Sequence, residues 1–432
     1  MTLQRAVNRP SALVLGSRAH CTFLPSFLSF CLDVNSYVGD KVVNLGQGFP
    51  DFAPPPFVRE AALEAIGLDC HQYTRPAGHP PLVKLLASRY SAHLDRPVDP
   101  MTEVAVTVGC SQALYVSMQC LVKPGDEVIL LEPFFDLYIG QIRMAGGTPR
   151  YVPLSVSPDG WSLDIDLLES TMTDRTRVLV LNSPHNPTGK VIGRDDLNKL
   201  AELVKRWPQV TVVSDEVYKF TVHGEGHEHV HFASLPGMFD RTLTLSSAGK
   251  TFSVTGWQVG WVIGPAKLVR DIHIALPFLQ FCASTPMQQA LVSVLVQADE
   301  PYDSFPNYYE WLNAQYRRKA ALLSSALDAA NLPVVKSQGG YFLTCDVSGV
   351  DVPQKYLDEV SLAMGPVSKD WAFCKWLAID YGVLSIPVAP FFSKESRSRG
   401  DAGAYVRFAF CKNDSTIERA ATCLKTFGER AT

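Results

Sequence analysis

The sequence predicts an α/β fold built on a mostly parallel sheet, followed by a smaller α+β unit. Three observations predict it. Apolar runs of strand length recur through the middle of the chain with helical patterns between them, as in parallel sheets covered on both faces. Polar residues able to do chemistry stand directly after several of these runs, where open α/β sheets bind ligands. The chain has 432 residues, 47% of them hydrophobic, which is length and apolar content for more than one unit at about 100–200 residues per domain.

The elements follow in order. Val104–Val108 reads as a strand ending at Gly109, with Ser111 placed as the N-cap of a helix from Gln112 to Val122. Lys123-Pro-Gly-Asp126 is a turn and Glu127–Leu131 the next strand. Val178–Asn182, Val210–Ser214, Thr242–Ser246 and Val259–Ile263 are further strands, with an amphipathic helix over Arg194–Trp207. The last third changes character. A long helix covers Asn313–Ala330, strands are expected at Gly339–Thr344, near Val383–Val388 and at Tyr405–Phe410, and helices at Lys369–Tyr381 and Asp414–Phe427. The expected division is an arm over 1–43, a large domain over 44–298 and a small domain over 299–432.

Composition excludes several classes. Charged residues are 19% and the net charge is −4, with no long run of Lys and Arg to neutralise phosphates, so no nucleic-acid partner is expected. The uncharged stretches Val104–Val122 and Ile272–Ala298 are interrupted by Gly, Pro, Gln and His. A membrane span needs about 20 predominantly apolar residues, so both read as buried core and no membrane association is expected. Ten cysteines, none in a C-x-x-C pair, read as reduced and mostly buried, which points to a reducing compartment. Residues 1–32 carry Arg5, Arg9 and Arg18 but no acid. That is the composition of a mitochondrial transit peptide or of an ordinary arm, so localisation is read as cytoplasmic or mitochondrial.

Three motifs resemble known sites and fail on a residue or a context. Ala248-Gly-Lys-Thr251 ends like a P-loop, but Thr244 stands where the first glycine is required. His227-Glu-His-Val-His231 matches H-E-x-x-H, which binds metal from a helix. Gly224, Gly226, Pro236 and Gly237 crowd out a helix, so the segment reads as a solvated loop with at most an adventitious metal site. No metal is expected. Gly46-Gln-Gly48 is followed by Asp51 and Pro54-Pro-Pro56, not by the rest of a dinucleotide fingerprint.

A fourth set coheres. Asn182-Ser-Pro-His-Asn-Pro-Thr-Gly189, Asp215-Glu-Val-Tyr218 and Ser247-Ala-Gly-Lys250 each follow a strand, and Arg407 lies in the last strand of the smaller unit. Singly, each has a bland reading: a turn, a helix cap, a surface lysine, an ion pair. Together, Asn, Asp, Tyr, Lys and Arg in this order are hard to reach by chance.

From Val43 to the C-terminus the chain resembles the fold-type-I pyridoxal-phosphate (PLP) aminotransferases. Within them it is most similar to the kynurenine aminotransferase group, also called glutamine transaminase K or cysteine-S-conjugate β-lyase. The finer match rests on Asn44–Phe52, Gln72-Tyr-Thr74, Glu132–Asp136, Ala233–Met238, Ser247–Ser253 and Thr255-Gly-Trp257. The resemblance implies the aspartate-aminotransferase-like three-layer fold. It also implies transfer of an amino group from glutamine, kynurenine or large neutral and aromatic amino acids to a 2-oxo acid, with β-elimination from cysteine S-conjugates as a side branch. The alternative is an aminotransferase of methionine or aspartate type. The latter needs a second cation that the sequence does not identify.

The resemblance also implies roles. Lys250 would bond covalently to PLP and carry the proton; a lysine amine suits this once its pKa is lowered. Asp215 would pair with the ring nitrogen, Asn186 and Tyr218 with the ring oxygen, and Phe135 with the ring face. Cys110, Ser111, Asn182, Ser247 and Gln258 would complete the cofactor site. Tyr73 would reach the phosphate of a second subunit, which implies a homodimer with shared active sites. Arg407 would hold the substrate carboxylate, with Gly46 and Asn186 beside it. Three departures stand out. Gln258 replaces a basic residue, Ser111 replaces an aromatic, and the segment before Val43 matches poorly, leaving Phe27 or Phe30 as candidates for an aromatic lid.

Overall fold

A computed structural model describes Phe30, Val34 and residues 42–157, 159–361 and 365–430. Its central sheet has seven strands: β1 (Val104–Val108), β2 (Glu127–Glu132), β3 (Thr148–Pro153), β4 (Thr176–Asn182), β5 (Thr211–Asp215), β6 (Thr242–Ser247) and β7 (Val259–Ile263). Their order is β1-β7-β6-β5-β4-β2-β3. The pairs among β3, β2, β4, β5 and β6 are parallel, and β7 is antiparallel to both β6 and β1. The mostly parallel sheet is therefore present, with one reversed strand that the sequence reading did not foresee. Strands β2, β6 and β7 are buried along their whole length, as expected of strands covered on both faces, although β6 alternates Leu with Thr and ends in two serines.

A second sheet holds β8 (Val334–Val335), β9 (Phe342–Asp346), β10 (Ile386–Pro387) and β11 (Tyr405–Ala409) in the order β8-β9-β11-β10. Long helices Tyr308–Ala329, Lys369–Tyr381 and Asp414–Arg430 accompany it. The first described segment is fastened to this unit. Val43–Asn44 pairs in parallel with Val383–Leu384, and Ala409 N–H donates to the Leu45 carbonyl at 2.6 Å.

Several expectations need correction. The helix after β1 runs Gly109–Leu121, so Ser111 is its third residue and not its cap. Strand β3 was not foreseen. The stretch Ile272–Ala298 is not wholly buried: it forms parts of the helices Ala266–Leu279 and Thr285–Gln297, and Ile274, Phe278 and Phe281 are exposed. Of the eight described cysteines only Cys345, Cys374 and Cys411 are buried, although all eight are free thiols. Phe30 is fully buried, edge-on to Trp371 at 4.9 Å, so it is a core residue and not a lid. Phe27 and nearly all of the arm lie outside the described residues. Among the described residues no helix is long and apolar enough to cross a membrane.

One contact fixes how the helix after β1 meets the sheet. Gly260, inside β7, lies against the start of that helix. A Cβ there would stand 2.4 Å from the Gly109 carbonyl carbon and 2.7 Å from Cys110 N. Gly109 itself has φ +71°, a left-handed conformation that glycine adopts without strain. Gly260→Ala is expected to lower stability by about 1–3 kcal/mol, because backbone and not a flexible side chain must give way. Urea unfolding measures it; an unchanged midpoint would mean that the helix start shifts freely.

Candidate active site

The ends of three neighbouring strands build the floor. Asn182 of β4 is in register with Asp215 of β5, and Asp215 with Leu245 of β6, two residues before Ser247. A cavity of about 310 Å³ opens over them. Cys110 and Ser111 reach it from the first turn of the helix after β1, Phe135 from the loop after β2, Asn186 from the loop after β4, and Tyr218 from the turn after β5. Lys250 follows β6, Gln258 precedes β7, and Arg407 enters from the middle of β11. Two residues of the predicted set are not on this wall. Gly46 lies behind Arg407. Tyr73 is 79% exposed and packs edge-on to Phe281 at 4.6 Å.

Asp215 is buried and held by neutral donors. Tyr138 O–H donates to Oδ2 at 2.8 Å, Val217 N–H to Oδ1 at 3.3 Å, and the Cys110 thiol approaches Oδ1 at 3.6 Å. Burial pushes its pKa up, against the pull of these donors. A carboxylate in such a place is stabilised by a cationic N–H. Asn182 does not offer its amide to the cavity alone. Its Nδ2 donates to the Asp215 carbonyl at 2.9 Å and its Oδ1 accepts from Asn186 N–H at 2.8 Å. It therefore positions both neighbours.

Lys250 Nζ donates to the Gly48 carbonyl at 3.2 Å. The same carbonyl accepts from Tyr341 O–H at 2.8 Å. The amine lies 5.9 Å and 5.7 Å from the ring centres of Tyr218 and Tyr341. Burial pushes the Lys250 pKa down, which favours the free amine. Arg407 Nη1 donates to Asn186 Oδ1 at 2.7 Å and Nη2 to the Gly46 carbonyl at 3.0 Å, with the guanidinium 4.0 Å from the Phe342 ring centre. The structure thus brings Arg407, Gly46 and Asn186 together as expected, with Gly46 acting through its carbonyl. Asn186 keeps Nδ2, a donor, for the cavity.

At the other end, the N-terminal turn of the Gly109–Leu121 helix and Ser247 surround a polar corner suited to an anion. Gln258 adopts φ +51°, and its Nε2 donates to the Thr255 carbonyl at 2.5 Å. Among the described residues Lys250 and Arg407 are the cations that line this cavity. Sequence reasoning did not find Tyr138, Gly48, Tyr341, Val217 or Phe391. Tyr138 stands one helical turn from Phe135, but nothing local says that its hydroxyl meets Asp215.

The histidine segment is also corrected. It is not a solvated loop: His229 and His231 are nearly buried, and both ring nitrogens turn onto Glu216 Oε2.

A lysine amine, a buried acid and a carboxylate-binding guanidinium around one space are what amino-group transfer through an aldehyde cofactor demands, and that is the class this fold and cavity define. More particularly, the chain belongs to the aminotransferase class I and II family, whose profile matches residues 40–424. It is 40% identical to a kynurenine–oxoglutarate transaminase of Dictyostelium discoideum, over 88% of this chain and 89% of that one. It is 40% identical to kynurenine–oxoglutarate transaminase 1 of Rattus norvegicus, over 90% and 92%. The solved N-succinyldiaminopimelate aminotransferase of Mycobacterium tuberculosis superposes with TM-score 0.82 at 34% identity, covering 95% of this chain and 99% of that one. The protein is an aminotransferase, and the family implies PLP. The residues fit that group: an acid with neutral partners only, an amine at cavity depth, aromatic walls and a polar corner at a helix start.

At that corner Gln258 offers dipoles where a charge would serve a phosphate better. A charged hydrogen bond is worth about 1.5–3 kcal/mol, against about 1 for a neutral one. Gln258→Lys is therefore expected to slow PLP release about tenfold, measured as loss of bound cofactor during dialysis. Equal or faster release would show that the corner does not need the charge.

Proposed function

We propose that this aminotransferase takes its amino group from kynurenine, glutamine or another large neutral or aromatic amino acid and passes it to a 2-oxo acid. The observation that carries the reading is the pair of cavity ends: Lys250 and Asp215 at one side, and Arg407, steadied by Asn186 and Gly46, at the other. Relatives named kynurenine–oxoglutarate transaminase support the donor class, as do Phe49, Phe135, Phe342 and Phe391 on the wall. Among the described residues Arg407 is the one guanidinium there, which speaks against an aspartate-specific site.

When bound, PLP supplies a ring that accepts the negative charge left on the substrate Cα after its proton is removed. Asp215 would keep a proton on the ring nitrogen, and Tyr218 and Asn186 Nδ2 would donate to the ring oxygen. Phe135 would cover one ring face. Ser111, Cys110 and Ser247 would hold the phosphate beside Gln258. Arg407 grips the substrate carboxylate through paired N–H groups and so aims the Cα–H bond at Lys250. Lys250 Nζ would take the proton from Cα and return it on the cofactor side. With a leaving group at Cβ, the electron pair freed from the Cα–H bond would instead form a Cα–Cβ double bond as that group departs with its own bonding pair, which is the β-elimination branch.

The same proposal includes a homodimer. Tyr73, exposed against Phe281, would meet the cofactor phosphate of the second subunit. It keeps the division into an arm (1–43), a large domain (44–298) and a small domain (299–432), and a cytoplasmic or mitochondrial location.

Purified enzyme with added PLP is expected to show the visible absorption of bound cofactor and to turn over kynurenine and glutamine faster than aspartate. Lys250→Ala should abolish that band and cost at least about 10⁴-fold in kcat. Preference for aspartate would overturn the substrate class, and full activity of Lys250→Ala the mechanism. Arg407→Lys should raise KM for the donor about tenfold or more, since an ammonium cannot form the paired contact. An unchanged KM would place the carboxylate elsewhere.

A further inference from the structure

Amino-group transfer leaves a second polar centre unused. We propose that Glu216, His229 and His231 form a binding site for a divalent transition-metal ion of the zinc type.

The ligand atoms are already assembled. His229 Nε2 lies 3.1 Å from Glu216 Oε2, and His231 Nδ1 closes on the same oxygen. One donor atom from each of the three residues falls within 4.8 Å of the other two. A tetrahedral ion with bonds of about 2.0–2.1 Å holds its ligand atoms roughly 3.3–3.4 Å apart, so small ring shifts admit it. The side chains are 8%, 9% and 1% exposed for His229, His231 and Glu216.

Local backbone explains the convergence. His231 is extended, with φ −65° and ψ 121°. Alternate residues of an extended segment face one side, so positions i and i+2 bring two rings together where positions i and i+4 would need a helix. The same rule would allow His227 with His229, but among the described residues it is His229 and His231 that turn a ring nitrogen onto Glu216, His227 coming just after the turn at Gly224 and Gly226. The third ligand comes from the central sheet, because Glu216 directly follows β5. Its Oε1 accepts from Ser214 O–H at 2.8 Å. That outer contact orients the carboxylate and leaves Oε2 toward the imidazoles, as in metal sites with a supporting shell.

A fourth position is open. A cavity of about 290 Å³ adjoins both imidazoles, with His93, Arg194, Lys219 and Ser234 also on its wall. It gives a water molecule or small anion access to the ion. Lys219, the near cation, lies against the faces of Tyr90 and Phe220 at 4.3 and 4.8 Å. Two imidazoles with one carboxylate suit zinc and its neighbours, not calcium or magnesium, which take oxygen. The bound ion would tie residues 229–231 to the chain segment that begins directly after Asp215.

The test uses the holoenzyme, treated with chelator, dialysed, and titrated with Zn²⁺ or with Co²⁺ as a coloured probe. One ion per chain is expected, with the intense visible bands of four-coordinate cobalt. Zn²⁺ should raise the melting temperature of the wild type and not of His231→Asn. His231→Asn and His229→Gln should each weaken binding at least about tenfold, and His227→Asn should leave it unchanged. Absence of binding, or binding lost with His227→Asn and kept in His231→Asn, overturns the proposal. If either inner variant fails to fold, the other variant and the wild-type cobalt spectrum decide. Weak octahedral bands then count against the site.

Discussion

A buried carboxylate with only neutral donors around it is the constraint on which the rest of this structure turns. Asp215 ends the strand β5, in register with Asn182 on the neighbouring strand. Its charge is costly in such a place unless a proton or a cation arrives. The surroundings are arranged to hold that situation open. Tyr138 fixes one oxygen, Val217 N–H the other, and Asn182 grips the backbone behind. Because Asn182 also receives the Asn186 amide, the position of the acid and the position of the substrate-side amide are set by one side chain.

The second sheet meets this floor through Arg407. Strand β11 pairs with β9 and β10, so that Arg407 stands opposite Thr344 and Ile386. The guanidinium then joins three separate parts of the chain: the Gly46 carbonyl, the Asn186 amide and the Phe342 ring. The segment after Val43 is tied down along its length, by Val383–Leu384, by Ala409, and by Lys412 on the Phe49 carbonyl at 2.8 Å. The start of the described chain is thus part of the site because it is stitched to its far end.

What could be read in advance followed local signals. Strands β1, β2, β4, β5 and β7 centre on apolar runs, β6 alternates Leu with Thr, and helix Lys369–Tyr381 shows its full extent in the sequence. Strand β3 escaped because it is an edge strand: it pairs with β2 alone, carries Pro149, Arg150 and Pro153, and is mostly half-exposed. The reversal of β7 escaped because an apolar run carries no direction. Motifs placed Lys250 and Asp215 in one cavity, since strand ends collect there whatever the loops do, while Arg407 enters it from the middle of β11. Tyr138 and Tyr341 were hidden, because their hydroxyls meet partners 77 and 293 residues away. The histidines were read as a solvated loop because the glycines and proline around them crowd out a helix, whereas the partner that buries and organises them is Glu216, upstream in the chain.

The close approach of β7 to the helix start has a consequence for heredity. Gly260 leaves no room for a side chain against Gly109, and a Cβ on Gly109 would meet Gln258 Oε1 at 2.5 Å. A side chain at 109 therefore crowds the residue at 258, whereas one at 260 presses on the backbone of 109 and 110. A lineage can change residue 258 while both glycines stay, but one that loses Gly109 narrows what 258 can become. The glutamine at the polar corner is one setting that the two glycines permit.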